Sequence, residues 1–359
     1  MIETHNLPAP YLHALARRLF TAAGAPRATA DDVAGILVNS NLAGHDSHGV
    51  LRVPAYLRMI EVGTLQPAAE PQVVKEAPNL LVIDGQSGFG HLTAKRAMSQ
   101  AIDKARRENV CCVTFTQVGH VGRLGEYAEM AAHAGCLGMV MVGSGSRRNA
   151  NRVVAYGGGA GAGVLGTNPL AIGAPTGDDT PFVLDYATSV MAEGKIQVAR
   201  SKGLPMPEGV ILDHQGNPTT NPHDFYEGGY LLPFAKHKGF ALSLTMCLFG
   251  GLAGNFDLEN QGMGGAYMQV VNIAAFTPLE QYQLHVRSFL DGIKSLSPAP
   301  GVDEIIVPGD FEARNRRQRL AEGVPLPTTI HDQLNECAAK LSVPTGQEIV
   351  EASDLTRYQ

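Results

Sequence analysis

The sequence predicts an α+β fold, with helices at both chain ends and a strand-rich middle. Three observations carry that expectation. Apolar residues recur at helical spacing through the first seventy or so positions, short β-rich runs replace them from Pro71, and helical spacing returns after Pro278. The expected divisions are a helical part over 1–72, an α+β domain over 73–296 and a C-terminal helical part over 297–359.

In chain order, helices are expected over 9–23 and 28–41, the second with Thr29, Asp31 and Asp32 as N-cap candidates. Next comes Gly44-His45-Asp46-Ser47-His48-Gly49-Val50-Leu51-Arg52-Val53-Pro54-Ala55-Tyr56. Pro54 disfavours helical geometry at Val53 and suits only a helix's first turn, so the spacing predicts a turn carrying Ser47 and His48, then a helix from Leu51 or Arg52. Residues 73–75, 80–83, 111–115, 138–142 and 182–185 read as strands, interrupted by long helices only around 93–108 and 124–134. The glycine- and proline-rich stretch 143–221 is expected to drape over a preformed sheet, offering free backbone amides to a ligand. Further helices are expected over 239–252, 278–295 and 328–341, with a linker at 297–301.

Composition narrows the function classes. A chain of 359 residues, 44% hydrophobic and 17% charged, is long enough for two cores. A net charge of -6 supplies no basic footprint for nucleic acid. No apolar run approaches membrane-spanning length, and Met1-Ile2-Glu3-Thr4-His5 lacks the order of a secretory signal. Five cysteines without regular spacing argue for a reducing compartment, so a cytoplasmic protein is expected.

His48, Arg52 and Tyr56 follow at four-residue steps, the spacing of one helix face. Those groups suit a 2-oxo acid. A guanidinium grips the carboxylate by two parallel hydrogen bonds, and an imidazole near neutrality exchanges the proton that the carbonyl oxygen gains as its carbon gains a hydride. A helix-capping His48 and a surface ion pair at Arg52 would use the same residues. A second histidine, His120, lies in Gly119-His120-Val121-Gly122-Arg123-Leu124-Gly125, between an expected strand and helix. Loops there gather functional side chains, and the flanking glycines leave room for a ligand. A turn histidine bonded to main chain is the plain alternative.

Gly161-Ala162-Gly163-Val164-Leu165-Gly166 spells the dinucleotide fingerprint, yet Thr167-Asn168-Pro169 follows at once where a helix should open. Cofactor chemistry fits other pieces better. Gly166-Thr167-Asn168-Pro169 offers a backbone turn and a side-chain amide; Asp185-Tyr186-Ala187-Thr188-Ser189 ends a strand with a carboxylate and hydroxyls; Lys236-His237-Lys238-Gly239 puts cations before a helix, where pyrophosphate is favoured.

These segments, with Gly194-Lys195 and Gly216-Asn217-Pro218-Thr219-Thr220, together resemble the type 2 malate/L-lactate dehydrogenase family over nearly the whole chain, and most resemble its hydroxycarboxylate dehydrogenase B branch. The resemblance implies a largely antiparallel mixed sheet domain, not a Rossmann fold, that binds NAD or NADP. It implies that both chain ends build one helical subdomain against that domain, and that the protein is a homodimer.

It further implies reduction of a 2-oxo acid to a 2-hydroxy acid, or the reverse. Some members instead reduce cyclic imino acids or act on ureidoglycolate. By matching motif, His48 and His120 are the catalytic acid/base candidates, His48 slightly favoured. Ser47, Arg52, Tyr56, Arg123, Thr167 and Asn168 are substrate-contact candidates. Cofactor contacts are expected from His48, His120, Ser144, Gly166, Asp185, Tyr186, Ala187, Thr188, His237, Lys238, Pro308, Gly309 and Asp310.

Arg123 departs from the commoner family turn. A second arginine at the substrate would suit a dicarboxylate or polar tail, while an ion pair with Glu126 would explain it equally well. Arg147, Arg148 and Arg152 are all open as a 2'-phosphate clamp. Two rivals remain. One is a metal-dependent hydrolase using His45, Asp46, His48 and His120; the other is a catalytically inert binding protein.

Overall fold

The structure is a computed structural model that describes residues 4–147, 152–201 and 203–358. Strand β1 (Thr4–Leu7) leads into helices α1 (Ala9–Ala22) and α2 (Arg27–Leu42). Two 3-10 turns, Asp46–His48 and Val50–Arg52, precede α3 (Val53–Glu61). Helix α3 thus starts one or two residues later than the spacing suggested, with Pro54 in its first turn. The expected caps Thr29, Asp31 and Asp32 lie inside α2, whose N-cap is Pro26 without a side-chain bond. The fixed φ of Pro26 starts the helix early, and the two aspartates serve ion pairs instead.

The sheet begins with β2 (Gln72–Ala77) and β3 (Leu80–Gly88). Helix α4 (Gly90–Glu108), β4 (Val110–Val118), α5 (Gly125–His133) and β5 (Cys136–Gly145) follow. The stretch expected to drape over the sheet instead extends it through β6 (Val153–Val154), β7 (Gly163–Leu165), β8 (Pro169–Ala174) and β9 (Phe182–Ala187). After helix α6 (Glu193–Ser201) come β10 (Ile211–Leu212), β11 (Pro218–Thr219), α7 (Pro222–Tyr226) and β12 (Tyr230–Leu231). The fingerprint-like run 161–166 thus enters a strand and is followed by another strand, so no helix N-terminus opens there.

Helix α8 (His237–Gly250) and β13 (Phe256–Asp257) precede β14 (Gly262–Asn272). That last strand lies between β4 and β5 at the centre of a 13-stranded mixed sheet. Every pairing described in it is antiparallel except β3 with β4 and β12 with β6. The chain closes with α9 (Leu279–Lys294), α10 (Asp310–Glu322), β15 (Val324–Pro327), α11 (Thr328–Lys340) and α12 (Ala352–Arg357).

Two main cores position the site. One joins α1 and α2 with Val324, Leu326, Leu334, Ala338 and Ile349 from the other end of the chain, and β1 pairs antiparallel with β15. The other lies between α4, α5 and the sheet around Phe115, Tyr127 and Met268. No described helix is long and apolar enough to cross a membrane.

Candidate active site

The first 3-10 turn carries His48 and the loop after β4 carries His120; between the two cores their rings stack, with centroids 5.4 Å apart and planes inclined by 20°. Tyr56 projects from α3, and its hydroxyl lies 2.6 Å from His120 Nδ1. Ser47 Oγ lies 2.9 Å from His48 Nδ1. In both imidazoles one nitrogen is engaged, leaving Nε2 for proton exchange. Arg52 Nε donates to the Ser47 carbonyl at 2.6 Å, and this bond holds the guanidinium beside the histidines.

Sequence reasoning missed a third imidazole. His91, in the first turn of α4, is buried behind the pair, 5.4 Å from the Tyr56 ring and 6.0 Å from the His120 ring. Gly122 has φ +81, and a Cβ there would stand 2.7 Å from the His91 ring. The loop therefore needs glycine at Gly122 for both conformation and space. The Tyr127 hydroxyl donates to the Val121 carbonyl at 2.6 Å and ties the same loop to α5.

Burial is the main influence on all three histidines. It lowers the His48 pKa to about 4, with Arg52, His45 and Arg123 adding to the effect. His91 falls to about 3, through burial and then His48. His120 is also lowered well below its ordinary value, by its crowded surroundings and then by His91, His48 and Arg52. The residue as a whole nevertheless keeps contact with solvent.

Arg123 does not join the substrate contacts. It is 2% exposed; Nη2 donates to Glu129 at 2.6 Å, and Nε stands 3.7 Å from Asp185. Its ion partner is Glu129 rather than Glu126, because a six-residue step along the loop and helix brings Glu129 round to the guanidinium. The Asp185 carboxylate accepts the Gly125 N–H at 2.7 Å and is committed inside the protein. The argument for a dicarboxylate from two arginines therefore loses its support.

Asn168, expected at the substrate, is also a structural staple. Its amide donates to Ser243 Oγ at 2.8 Å and its oxygen accepts the Ser144 N–H at 2.9 Å, so β5, the turn before β8 and α8 are joined at one buried side chain. Thr188, expected at the cofactor, is fully buried with its hydroxyl on the Thr167 carbonyl at 2.9 Å. Thr167 is exposed, and Gly166 and Ala187 are half-buried beside it.

His237 and Lys238 lie exposed in the first turn of α8, with the Tyr156 ring 5.9 Å from His237. Tyr186 is 37% exposed and meets Phe234 edge to face. The Lys238 ammonium, the helix N-terminus and the open aromatic faces together fit a phosphate-bearing dinucleotide. Pro308 is exposed, Gly309 is buried against the Pro181 carbonyl, and Asp310 pairs with Lys294 at 3.2 Å. Among the clamp candidates, Arg152 donates to the Phe225 carbonyl at 3.0 Å and Arg147 to Gln261 at 3.2 Å. Arg148 lies outside the described residues. The hydrolase alternative needs His45 and Asp46 at one ion with His48, but His45 pairs with Glu312 at 2.9 Å and Asp46 with Arg319 at 2.6 Å.

Comparison with known proteins agrees with this architecture. The malate/L-lactate dehydrogenase family profile matches residues 7–335. Hydroxycarboxylate dehydrogenase B of Escherichia coli is 34% identical, covering 96% of each chain. L-lactate dehydrogenase of Cupriavidus necator is 36% identical over 92% of this chain and 96% of its own. The crystal structure of malate dehydrogenase from Entamoeba histolytica superposes with a TM-score of 0.88 at 25% identity, covering 95% of this chain and 99% of that one. The chain is therefore an oxidoreductase belonging to the malate/L-lactate dehydrogenase family.

Proposed function

We propose that the protein catalyses the reversible, NADH- or NADPH-dependent reduction of a 2-oxo acid to a 2-hydroxy acid. The observation that carries this reading is the convergence of His48, His120, Tyr56 and Arg52, from two distant segments, into one contiguous cluster. His237 and Lys238 at the start of α8, with Gly166, Tyr186, Ala187 and the Pro308 to Asp310 turn, would hold the dinucleotide. When bound, its nicotinamide supplies or accepts the hydride.

The protein's own groups do the rest. Arg52 keeps its two terminal nitrogens for the substrate carboxylate, because Nε is occupied by the Ser47 carbonyl. The carbonyl oxygen takes its proton from His48 Nε2 during reduction and returns it during oxidation, with His120 stacked alongside. Tyr56 fixes the orientation of the His120 ring. Ser47 does the same for His48.

The reading extends to a homodimer in the cytoplasm. Leu244, Leu248 and Leu252 form an exposed apolar stripe that a second copy would cover, and the five cysteines are free thiols suited to a reducing compartment. Light scattering of the purified protein checks the oligomeric state.

The test of the chemistry is turnover of a panel of 2-oxo acids with each reduced cofactor. His48→Ala and His120→Ala should each lower kcat by roughly a hundredfold or more while the circular dichroism spectrum is retained. Wild-type rates in both variants would remove the mechanism.

A further inference from the structure

The 3-10 turn that carries His48 is poorly fixed by its own backbone. It spans three residues, Asp46–His48, has no side-chain cap, and is closed by two main-chain bonds, from His48 N to His45 O at 2.9 Å and from Gly49 N to Asp46 O at 3.0 Å. Such a short turn, with the weaker geometry of a 3-10 helix, does not hold a side chain to catalytic tolerance alone. Arg52 and Asn41 hold the turn locally, through the Ser47 carbonyl and the Asp46 carboxylate, and further contacts come from α10, more than 260 residues further along the chain.

Arg319 reaches from α10 to grip Asp46 by two parallel bonds, Nη1 to Oδ1 at 2.6 Å and Nη2 to Oδ2 at 3.0 Å. The same Nη1 also donates to the Asn41 carbonyl at the end of α2. Asn41 continues the chain: its Nδ2 donates to Asp46 Oδ1 at 2.7 Å, and its Oδ1 accepts the Val50 N–H at 2.9 Å. Arg319, Asp46, Asn41 and Val50 therefore form a continuous bracket around His48. Two more α10 contacts close it from the other side. Glu312 pairs with His45, and Phe311 and Asn315 lie 3.0 Å from where a Gly44 Cβ would be.

We propose that Arg319 is a positioning residue for His48, acting through Asp46 and Asn41, so that α10 holds the acid/base turn in register with His120. This inference rests on the role assigned to His48 above. The Asp46 side chain is 41% exposed, which alone would make the pair weak, but the contact is bidentate, the Arg319 side chain is only 13% exposed, and Asn41 holds the same carboxylate. The planar fork is what spans both carboxylate oxygens and the Asn41 carbonyl. A lysine at the same position supplies charge without that geometry.

The test is a double-mutant cycle on the full-length enzyme, reading kcat and KM for the 2-oxo acid together with KM for the reduced cofactor. Arg319→Leu should lower kcat by about ten- to a hundredfold, the scale of a displacement of about an ångström at a catalytic group. Arg319→Lys should lie between Arg319→Leu and wild type, and the cofactor KM should stay within about twofold of wild type in both. In a His48→Ala background, Arg319→Leu should change kcat by less than about twofold, because the group it positions is gone. An equal loss in both backgrounds, or no loss in either, overturns the proposal. Wild-type kcat in His48→Ala alone would mark the failure of the underlying reading, and a cofactor KM that rises with the substrate KM would show general loosening of the fold in place of positioning.

Discussion

Neutral imidazoles at working pH give the two directions of the proposed reaction opposite pH responses. Burial lowers the pKa of His48 to about 4 and that of His120 well below the usual histidine value, so both are ready to accept a proton near pH 7. Reduction needs the protonated form, whose fraction falls about tenfold for each pH unit above the pKa. Accordingly, kcat/KM for 2-oxo acid reduction should rise as pH is lowered from 7 toward 5, while oxidation of the 2-hydroxy acid should be nearly flat over that range. Initial rates in both directions in one buffer series check this. An acidic limb centred near pH 6.5 in the free enzyme would mean that the burial of these rings does not control their ionisation. His120 stood out by its glycine-flanked turn; the four-residue spacing singled out His48, Arg52 and Tyr56, but the structure sets them on two separate 3-10 turns and α3 in place of one helix face. His91 did not stand out, since a histidine beside Gly90 at a helix start carries no pattern that separates it from a surface residue.

At the scale of elements, the His48 turn depends on the absence of a side chain at Gly49. A Cβ there would overlap the Asn41 amide, which cannot yield because it is bonded to both Asp46 and Val50. Gly49→Ala should therefore cost about 1–3 kcal/mol of stability and displace His48, lowering kcat more than it raises the cofactor KM. Chemical denaturation and steady-state kinetics on one preparation measure both effects. A fully active, fully stable Gly49→Ala protein would contradict the tight bracket around the turn. Among the elements that escaped sequence reasoning, two show the reason plainly. Strand β14 begins Gly262-Met263-Gly264-Gly265, and the glycines mask a strand whose placement between β4 and β5 comes from long-range pairing. Helix α10 has no buried residue and hence no apolar stripe to reveal it; it is held by ion pairs to distant segments.

The two ends of the chain are joined through a buried charge cluster. Arg17 of α1, 2% exposed, grips Asp354 of α12 at 2.5 and 2.9 Å, with Asp31 and His13 beside it. Removing one partner strands the other charge in the core, so Asp354→Ala should cost about 3–5 kcal/mol, measurable as a shift of the denaturation midpoint. A loss under about 1 kcal/mol would show that α12 is not integral to the helical core. Acid should weaken the fold as well. His91 is lowered to about 3 in the folded chain, whereas its unfolded value is near 6.5, so below pH 6.5 the unfolded state takes up a proton that the native state refuses. Stability should therefore decline as pH falls from 6.5 toward 3, by up to ~1.4 kcal/mol per unit from this residue, and His91→Leu should reduce that slope in pH-dependent denaturation.

The sequence by itself determined the division into helical ends and a strand-rich middle, the turn and glycine geometry around His48 and His120, and the family. These are local properties: apolar period, proline and glycine constraints, and the order of motifs along the chain. Only the tertiary structure decided which polar groups face ligand and which face one another. Arg123, Asp185, Asn168 and Thr188 have the chemistry of ligand contacts, yet each is spent on an internal partner, and Arg319 reaches the acid/base turn from far along the chain. A polar side chain's role depends on which donor or acceptor comes within about 3 Å, and that distance is set by packing between segments remote in sequence.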